Sequence, residues 1–225
     1  EVSYTLDAAR NGWNNEWSKY IKKFETTFAE YLGVNHALST SSCTGALHLA
    51  LLALEIGPGD EVIVPDITWV ATASAVKYVG ATPIFCDVRS DNWCLDIESV
   101  YERLQKKTKC IMPVHLYGQT ADMDALMSVA RENSLYVVED AAPAIGATCR
   151  GKKVGTYGDF AAFSFQGAKL LVTGEGGMLV TNNKDIYEKC LFWRGHGRKP
   201  GDKKMFWNYK VAYKYKMSSL QAALG

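Results

Sequence analysis

Cys110-Ile111-Met112-Pro113-Val114-His115, then Met123 to Glu132, then Leu135-Tyr136-Val137-Val138-Glu139-Asp140: an apolar run, an amphipathic stretch and a second apolar run decide the fold class. Neither run alternates apolar with polar residues, which is how a strand buried on both faces reads. The stretch between them has helical spacing and is long enough to cross over and return the chain parallel to itself. The same alternation extends outward in both directions. Toward the N-terminus, strands are expected at Thr82–Val88 and at Glu61–Val64, closed by Pro65. Helices are expected at Ile97–Leu104, Trp69–Tyr78, Ser41–Ala53 and Phe24–Tyr31. Toward the C-terminus, Phe160–Phe165 and Gly177–Thr181 read as strands and Asp185–Phe192 as a helix. Gly57-Pro58-Gly59-Asp60 is turn chemistry between a helix and a strand. Short apolar strands between amphipathic helices imply a mainly parallel sheet covered on both faces, an α/β protein of three layers.

Composition narrows the function classes. Of the 225 residues, 48% are apolar, enough for a sizeable core, and Lys plus Arg exceed Asp plus Glu by one. Such a balance predicts no nucleic-acid partner and no anionic membrane surface. The longest apolar run, Gly45 to Leu54, falls well short of the ~20 residues of a membrane span. Cys43, Cys86, Cys94, Cys110, Cys149 and Cys190 are scattered without a C-x-x-C pair, so reduced, buried thiols in the cytoplasm are expected. Gly195 to Lys204 is polar and Gly-rich and reads as an exposed loop. The chain opens at Glu1 and stops at Gly225 within a helix expected over Ser218–Leu224, so it is expected to be a piece of a longer or processed polypeptide.

In open α/β sheets, sites form at the carboxyl ends of the strands. Asp140, His115 and Lys169 follow strands, and Ser41-Ser42-Cys43-Thr44-Gly45 opens a helix. The helix opening, with free N–H groups and small residues, suits either an ordinary cap or a bound phosphate. Asp140 in Glu139-Asp140-Ala141-Ala142 is a turn residue, a metal ligand or the partner of a protonated nitrogen. No His/Asp/Glu set with metal-ligand spacing accompanies it. Lys169 follows Phe163-Ser164-Phe165-Gln166-Gly167-Ala168 and precedes Thr173-Gly174-Glu175-Gly176-Gly177. It either reaches solvent along its stem or serves as an amine nucleophile of lowered pKa. Together these are the parts that pyridoxal 5'-phosphate (PLP) requires: a phosphate cradle, an acid for its ring nitrogen and a lysine for its aldehyde.

The order of these pieces resembles the DegT/DnrJ/EryC1/StrS family of PLP-dependent nucleotide-sugar aminotransferases. The match runs through Gly57-x-Gly59-Asp60-Glu61-Val62, Thr68-Trp69, Pro113-Val114-His115-x-x-Gly118, Glu139-Asp140-Ala141-Ala142, Ser164-Phe165-x-x-x-Lys169, Gly174-Glu175-Gly176-Gly177 and Tyr213-Lys214-Tyr215-Lys216-Met217. The resemblance implies a fold-type I large domain over residues 1–225, with a seven-stranded sheet and without the family's smaller C-terminal domain. It implies that Cys43, Thr44 and Ser164 contact the phosphate, that Trp69 stacks on the pyridine, that Asp140 keeps the ring nitrogen protonated and that Lys169 bonds the aldehyde. Lys214, where many members carry Asn, would reach the cofactor of a second subunit in a homodimer with shared sites. Pro143 differs from members that place a hydrogen-bonding side chain there. Without the resemblance, Trp69 reads first as a core aromatic among apolar helix residues.

The implied reaction takes an amino group from an amino acid, by family habit L-glutamate, and delivers it to a keto group of a nucleotide-linked sugar, with Lys169 carrying the proton. The Gly-rich loop with His196 and Arg198 is a candidate contact for the sugar nucleotide's diphosphate. Three rivals stand beside this reading. A sugar dehydratase of the same family would have His at the position of Lys169. A NAD-binding Rossmann enzyme would need G-x-G-x-x-G after its first strand. A non-catalytic PLP-binding fragment would keep the motifs without turnover.

Overall fold

The computed structural model describes residues 1–204 and 206–225. The helices are α1 (Val2–Asn11), α2 (Lys19–Leu32), α3 (Cys43–Ala53), α4 (Ala71–Tyr78), α5 (Ile97–Arg103), α6 (Met123–Glu132), α7 (Lys184–Arg194) and α8 (Ser219–Leu224). The strands are β1 (His36–Thr40), β2 (Glu61–Pro65), β3 (Thr82–Cys86), β4 (Thr108–Ile111), β5 (Tyr136–Asp140), β6 (Thr148–Cys149), β7 (Lys152–Lys153), β8 (Phe160–Ser164) and β9 (Gly177–Thr181). Seven of these strands form one sheet in the order β1-β9-β8-β5-β4-β2-β3, and β6 and β7 form a separate small hairpin. From β3 across to β8 all neighbours are parallel. β9 alone runs against both its neighbours, β8 and β1.

The two faces of this sheet bury two cores, and strand periodicity divides the residues between them. Val137, Ala161, Phe163, Met178 and Val180 join a cluster with Phe24 and Phe28 of α2, Val100 of α5, Leu126 and Val129 of α6 and Ala222 of α8. Their chain neighbours Val138, Phe160, Ala162 and Leu179 point the other way, into a cluster with α3 and α4. On the first face, Phe24, Phe28, Phe163 and Phe165 interlock, Phe28 and Phe163 at a centroid separation of 5.2 Å. On the second, α3 is apolar all round because the sheet and helices α4 and α7 enclose it, and Leu47, Leu49 and Leu51 are fully buried.

The expected three-layer α/β architecture and seven-stranded sheet are therefore present. Residue reading missed β1, whose His-Ala-Leu-Ser-Thr sequence has neither a long apolar run nor alternation, and α1, which is largely exposed. Several bounds moved: the strand expected over Thr82–Val88 ends at Cys86, and the helix expected from Trp69 begins at Ala71. The Rossmann reading fails on topology: the strand order does reverse between β2 and β4, as in a doubly wound sheet, but β9 is inserted antiparallel between β1 and β8. Among the described residues no helix is long and apolar enough to cross a membrane.

Candidate active site

Because β1 and β8 both run against β9, the ends of β1 and β8 and the start of β9 meet at one edge: Thr40 and Ser164 each pair with Gly177. Parallel β5 ends there too, at Asp140. A side chain at position 177 is impossible, because a Cβ there would lie 2.5 Å from the Cys43 nitrogen. That closeness lets α3 start directly over the strand ends. Ser42 caps α3, its hydroxyl accepting from the Gly45 N–H at 3.1 Å. The first turn of α3 borders a cavity of about 930 Å³ lined by Ser42, Cys43, Thr44, Asp140, Ser164 and Lys169.

Asp140 is 5% exposed. One carboxyl oxygen accepts from the Thr72 hydroxyl at 2.7 Å and the other from the Ala142 N–H at 3.1 Å. Burial pushes this carboxyl above its ordinary range, while Thr72, the Ala142 amide and the charge of Lys169 pull against it. Two neutral donors leave a carboxylate with unused lone pairs. A buried acid of this kind, lining a cavity, is matched to a cationic ligand atom.

Lys169 lies on the excursion between β8 and β9, which is pinched shut where the Phe165 N–H donates to Gly176 O at 3.0 Å and the Thr173 N–H to Phe165 O at 2.9 Å. Its amine makes no hydrogen bond or ion pair among the described residues and lines the cavity. Ser164, at the end of β8, is buried and lines the cavity. Cys43 is buried and its thiol is pushed well up, first by burial and then by Asp140, so it packs rather than reacts.

Thus Cys43, Thr44, Trp69, Asp140, Ser164 and Lys169, scattered along the sequence, line one cavity, and Pro143 lines it with a ring that offers no donor. Trp69 is 77% exposed, which removes the core reading of that residue. His115 does not line the cavity. It is fully buried, its Nε2 paired with Glu139 at 3.1 Å and its Nδ1 receiving the Ala121 N–H at 3.3 Å. Lys214, His196 and Arg198 do not line the cavity of their own chain; Lys214 is exposed and bridges to Gly195. Residue reading missed Thr72, whose bond to Asp140 spans the distance from α4 to β5. It also missed Trp93 and Tyr117, two further aromatics on the cavity wall.

A cap, a buried acid and an amine on one cavity are the features of a known group. Residues 1–225 match the model of the DegT/DnrJ/EryC1/StrS aminotransferase family. The chain belongs to this family. Among curated members, it is 47% identical to a GDP-perosamine synthase of Caulobacter vibrioides, over all of this chain and 60% of that protein. It is 44% identical to a GDP-perosamine synthase of Escherichia coli O157:H7, over all of this chain and 61% of that protein. Among solved members, an aminotransferase from Psychrobacter cryohalolentis superposes with a TM-score of 0.93 at 36% identity, over 99% of this chain and 59% of the other. The PLP form of Spr1654 from Streptococcus pneumoniae superposes with a TM-score of 0.91 at 31% identity, over 100% of this chain and 62% of that one. The chain therefore spans about three fifths of the length of the curated relatives it matches.

Proposed function

We propose that this chain is the cofactor-binding large domain of a PLP-dependent aminotransferase that moves an amino group from L-glutamate to a keto group of a nucleotide-linked sugar. The observation that carries the reading is the convergence of Asp140 and Lys169 with the N-terminus of α3 on one cavity. Bound PLP supplies an aldehyde to take the amino group and a pyridine ring that draws negative charge away from the donor's Cα. The residues present fit that group. The first-turn amides of α3, with Thr44 and Ser164, suit its phosphate. Asp140 suits the protonated ring nitrogen, and Trp69 offers a ring face. Lys169 would hold the aldehyde, and its amine, once released, would be placed to take and return the donor's Cα proton. A lysine at this position favours transamination over the dehydratase reading.

Relatives named for GDP-linked sugar chemistry support a nucleotide sugar as acceptor. Six free, buried cysteines support a cytoplasmic setting, and the near-neutral charge argues against nucleic acid or a membrane surface as partner. The test is chemical. Incubated with PLP, the protein gains a visible absorption band, and borohydride then fixes the cofactor to the peptide carrying Lys169. Attachment at a different lysine would refute the assignment.

A further inference from the structure

Three aromatic residues line the cavity: Trp69, Trp93 and Tyr117. The proposed cofactor site uses the first and leaves the other two without a role. Both are exposed, Trp93 by 51% and Tyr117 by 78%, although each has a large apolar ring. They come from separate loops, yet their ring centroids lie 6.2 Å apart at an interplanar angle of 63°. Each also occupies the left-handed region of the backbone, with φ of 56° at Trp93 and 52° at Tyr117. Bulky residues are outliers there, and such conformations persist only where the surrounding structure over-determines them.

The surroundings do so here. The Trp93 N–H donates to Arg89 O and the Arg89 N–H to Cys94 O, both at 2.9 Å. Buried Cys94 in turn donates through Sγ to Gln119 O at 3.5 Å, which ties the Trp93 loop to the Tyr117 turn. That turn is closed by the Gly118 N–H to His115 O at 3.2 Å and the Gln119 N–H to Leu116 O at 2.9 Å. His115 itself is held by Glu139 and by the Ala121 amide. The backbone that carries the two rings is therefore held before any ligand arrives.

We propose that Trp93 and Tyr117 form an aromatic clip that grips a ring face of the amine acceptor. The inference rests on the proposed function and names a specificity element within it. L-glutamate has no ring to offer. A nucleotide-linked sugar offers two, the C–H face of the hexose and the π-face of the base, and an aromatic pair accepts either. The clip thus separates the two half-reactions, acting on the acceptor and leaving the amino donor alone.

The test uses the full-length protein loaded with PLP and the variants Trp93→Asn, Tyr117→Asn and Tyr117→Phe. Asparagine tolerates the left-handed backbone, so the ring is removed without new strain. Calorimetric titration with GDP-mannose as probe is expected to show about a tenfold weaker dissociation constant in each Asn variant and parental binding in Tyr117→Phe. Conversion of the bound cofactor by L-glutamate, followed by loss of the visible band, is expected to be unchanged in all three. Titration with GDP and with mannose 1-phosphate assigns the gripped ring, whichever of the two loses affinity. Parental GDP-mannose binding in both Asn variants, an equal loss for L-glutamate, or no GDP-mannose binding by the unaltered protein overturns the clip. Failure of the unaltered protein to take up PLP is a different result and sinks the proposed activity, since the GDP-mannose titration is read without turnover.

Discussion

Asp140 has unequal fates with and without a cation beside it. Burial raises its carboxyl above the ordinary value, so the folded chain holds this proton more tightly than the unfolded chain does. The resulting stability is fully present below the unfolded value of about 4 and is lost as pH rises through the shifted one. A protonated pyridine nitrogen reverses that penalty at neutral pH. Two outcomes are expected. Calorimetric melting should show PLP stabilising the protein more at pH 7.5 than at pH 4.5, beyond what the ligand's own titration accounts for. Asp140→Asn should raise the melting temperature of the cofactor-free protein at pH 7.5 while slowing transamination by about 3 kcal/mol of barrier, as loss of one preorganised electrostatic partner does. Wild-type turnover in the variant refutes the role. Asp140 and Lys169 stood out in the sequence because each lies at or beyond the end of an apolar strand and, with the opening of α3, completes the set of parts that PLP requires. Thr72 did not, since a threonine inside a short helix carries no sign that its hydroxyl meets an acid on a distant strand.

At the scale of elements, what holds Asp140 in place is the residue before it. Glu139 is fully buried. Its carboxylate accepts the backbone N–H groups of Gly155, Tyr157 and Gly158 at 2.7, 2.8 and 2.8 Å, and His115 Nε2 approaches at 3.1 Å. Since the Ala121 N–H donates to His115 Nδ1, the imidazole proton belongs on Nε2, directed at Glu139. One carboxylate thus binds the loop before β8 and the turn after β4 to the end of β5. Glu139→Gln places an amide NH2 against N–H donors, leaving at least one buried donor unsatisfied. It is expected to destabilise the protein by about 3 kcal/mol, read as a lower urea midpoint at unchanged slope. A loss below about 1 kcal/mol would show that water or a shifted loop replaces the carboxylate. The sequence announced Glu139 only as a neighbour of Asp140. Its partners lie on loops without periodicity, so no spacing rule points to them. β1 escaped for a related reason: Ser39 and Thr40 are buried polar residues, and Ser39 is satisfied by Glu25 at 2.8 Å through its hydroxyl, a contact that no strand pattern encodes.

Across the whole molecule, the cavity opens among exposed apolar side chains. Leu170 is 85% exposed, Trp69 77%, Val70 65% and Ile67 48%. Apolar groups gathered at a site mouth mark a surface that another surface covers. Nearby, the Tyr213–Met217 segment is rigidly seated. Its Tyr215 O accepts the Ser41 N–H at 2.8 Å, and Tyr213 and Tyr215 stack at 5.5 Å beside buried His48. Lys214, between these two tyrosines, is left exposed and away from its own chain's cavity. A two-fold dimer in which each Lys214 serves the other chain's phosphate accounts for both observations. The full-length protein is expected to sediment as a dimer burying more than roughly 2,000 Å² in total. Shared sites make a sharper expectation. Lys169→Ala and Lys214→Ala proteins should each be weak alone. Mixed, unfolded and refolded together, they should regain activity, because one of the two sites in a mixed dimer combines an intact Lys169 from one chain with an intact Lys214 from the other. No recovery in dimers shown to be mixed, or a monomer that binds PLP and turns over, would leave Lys214 an ordinary solvated lysine.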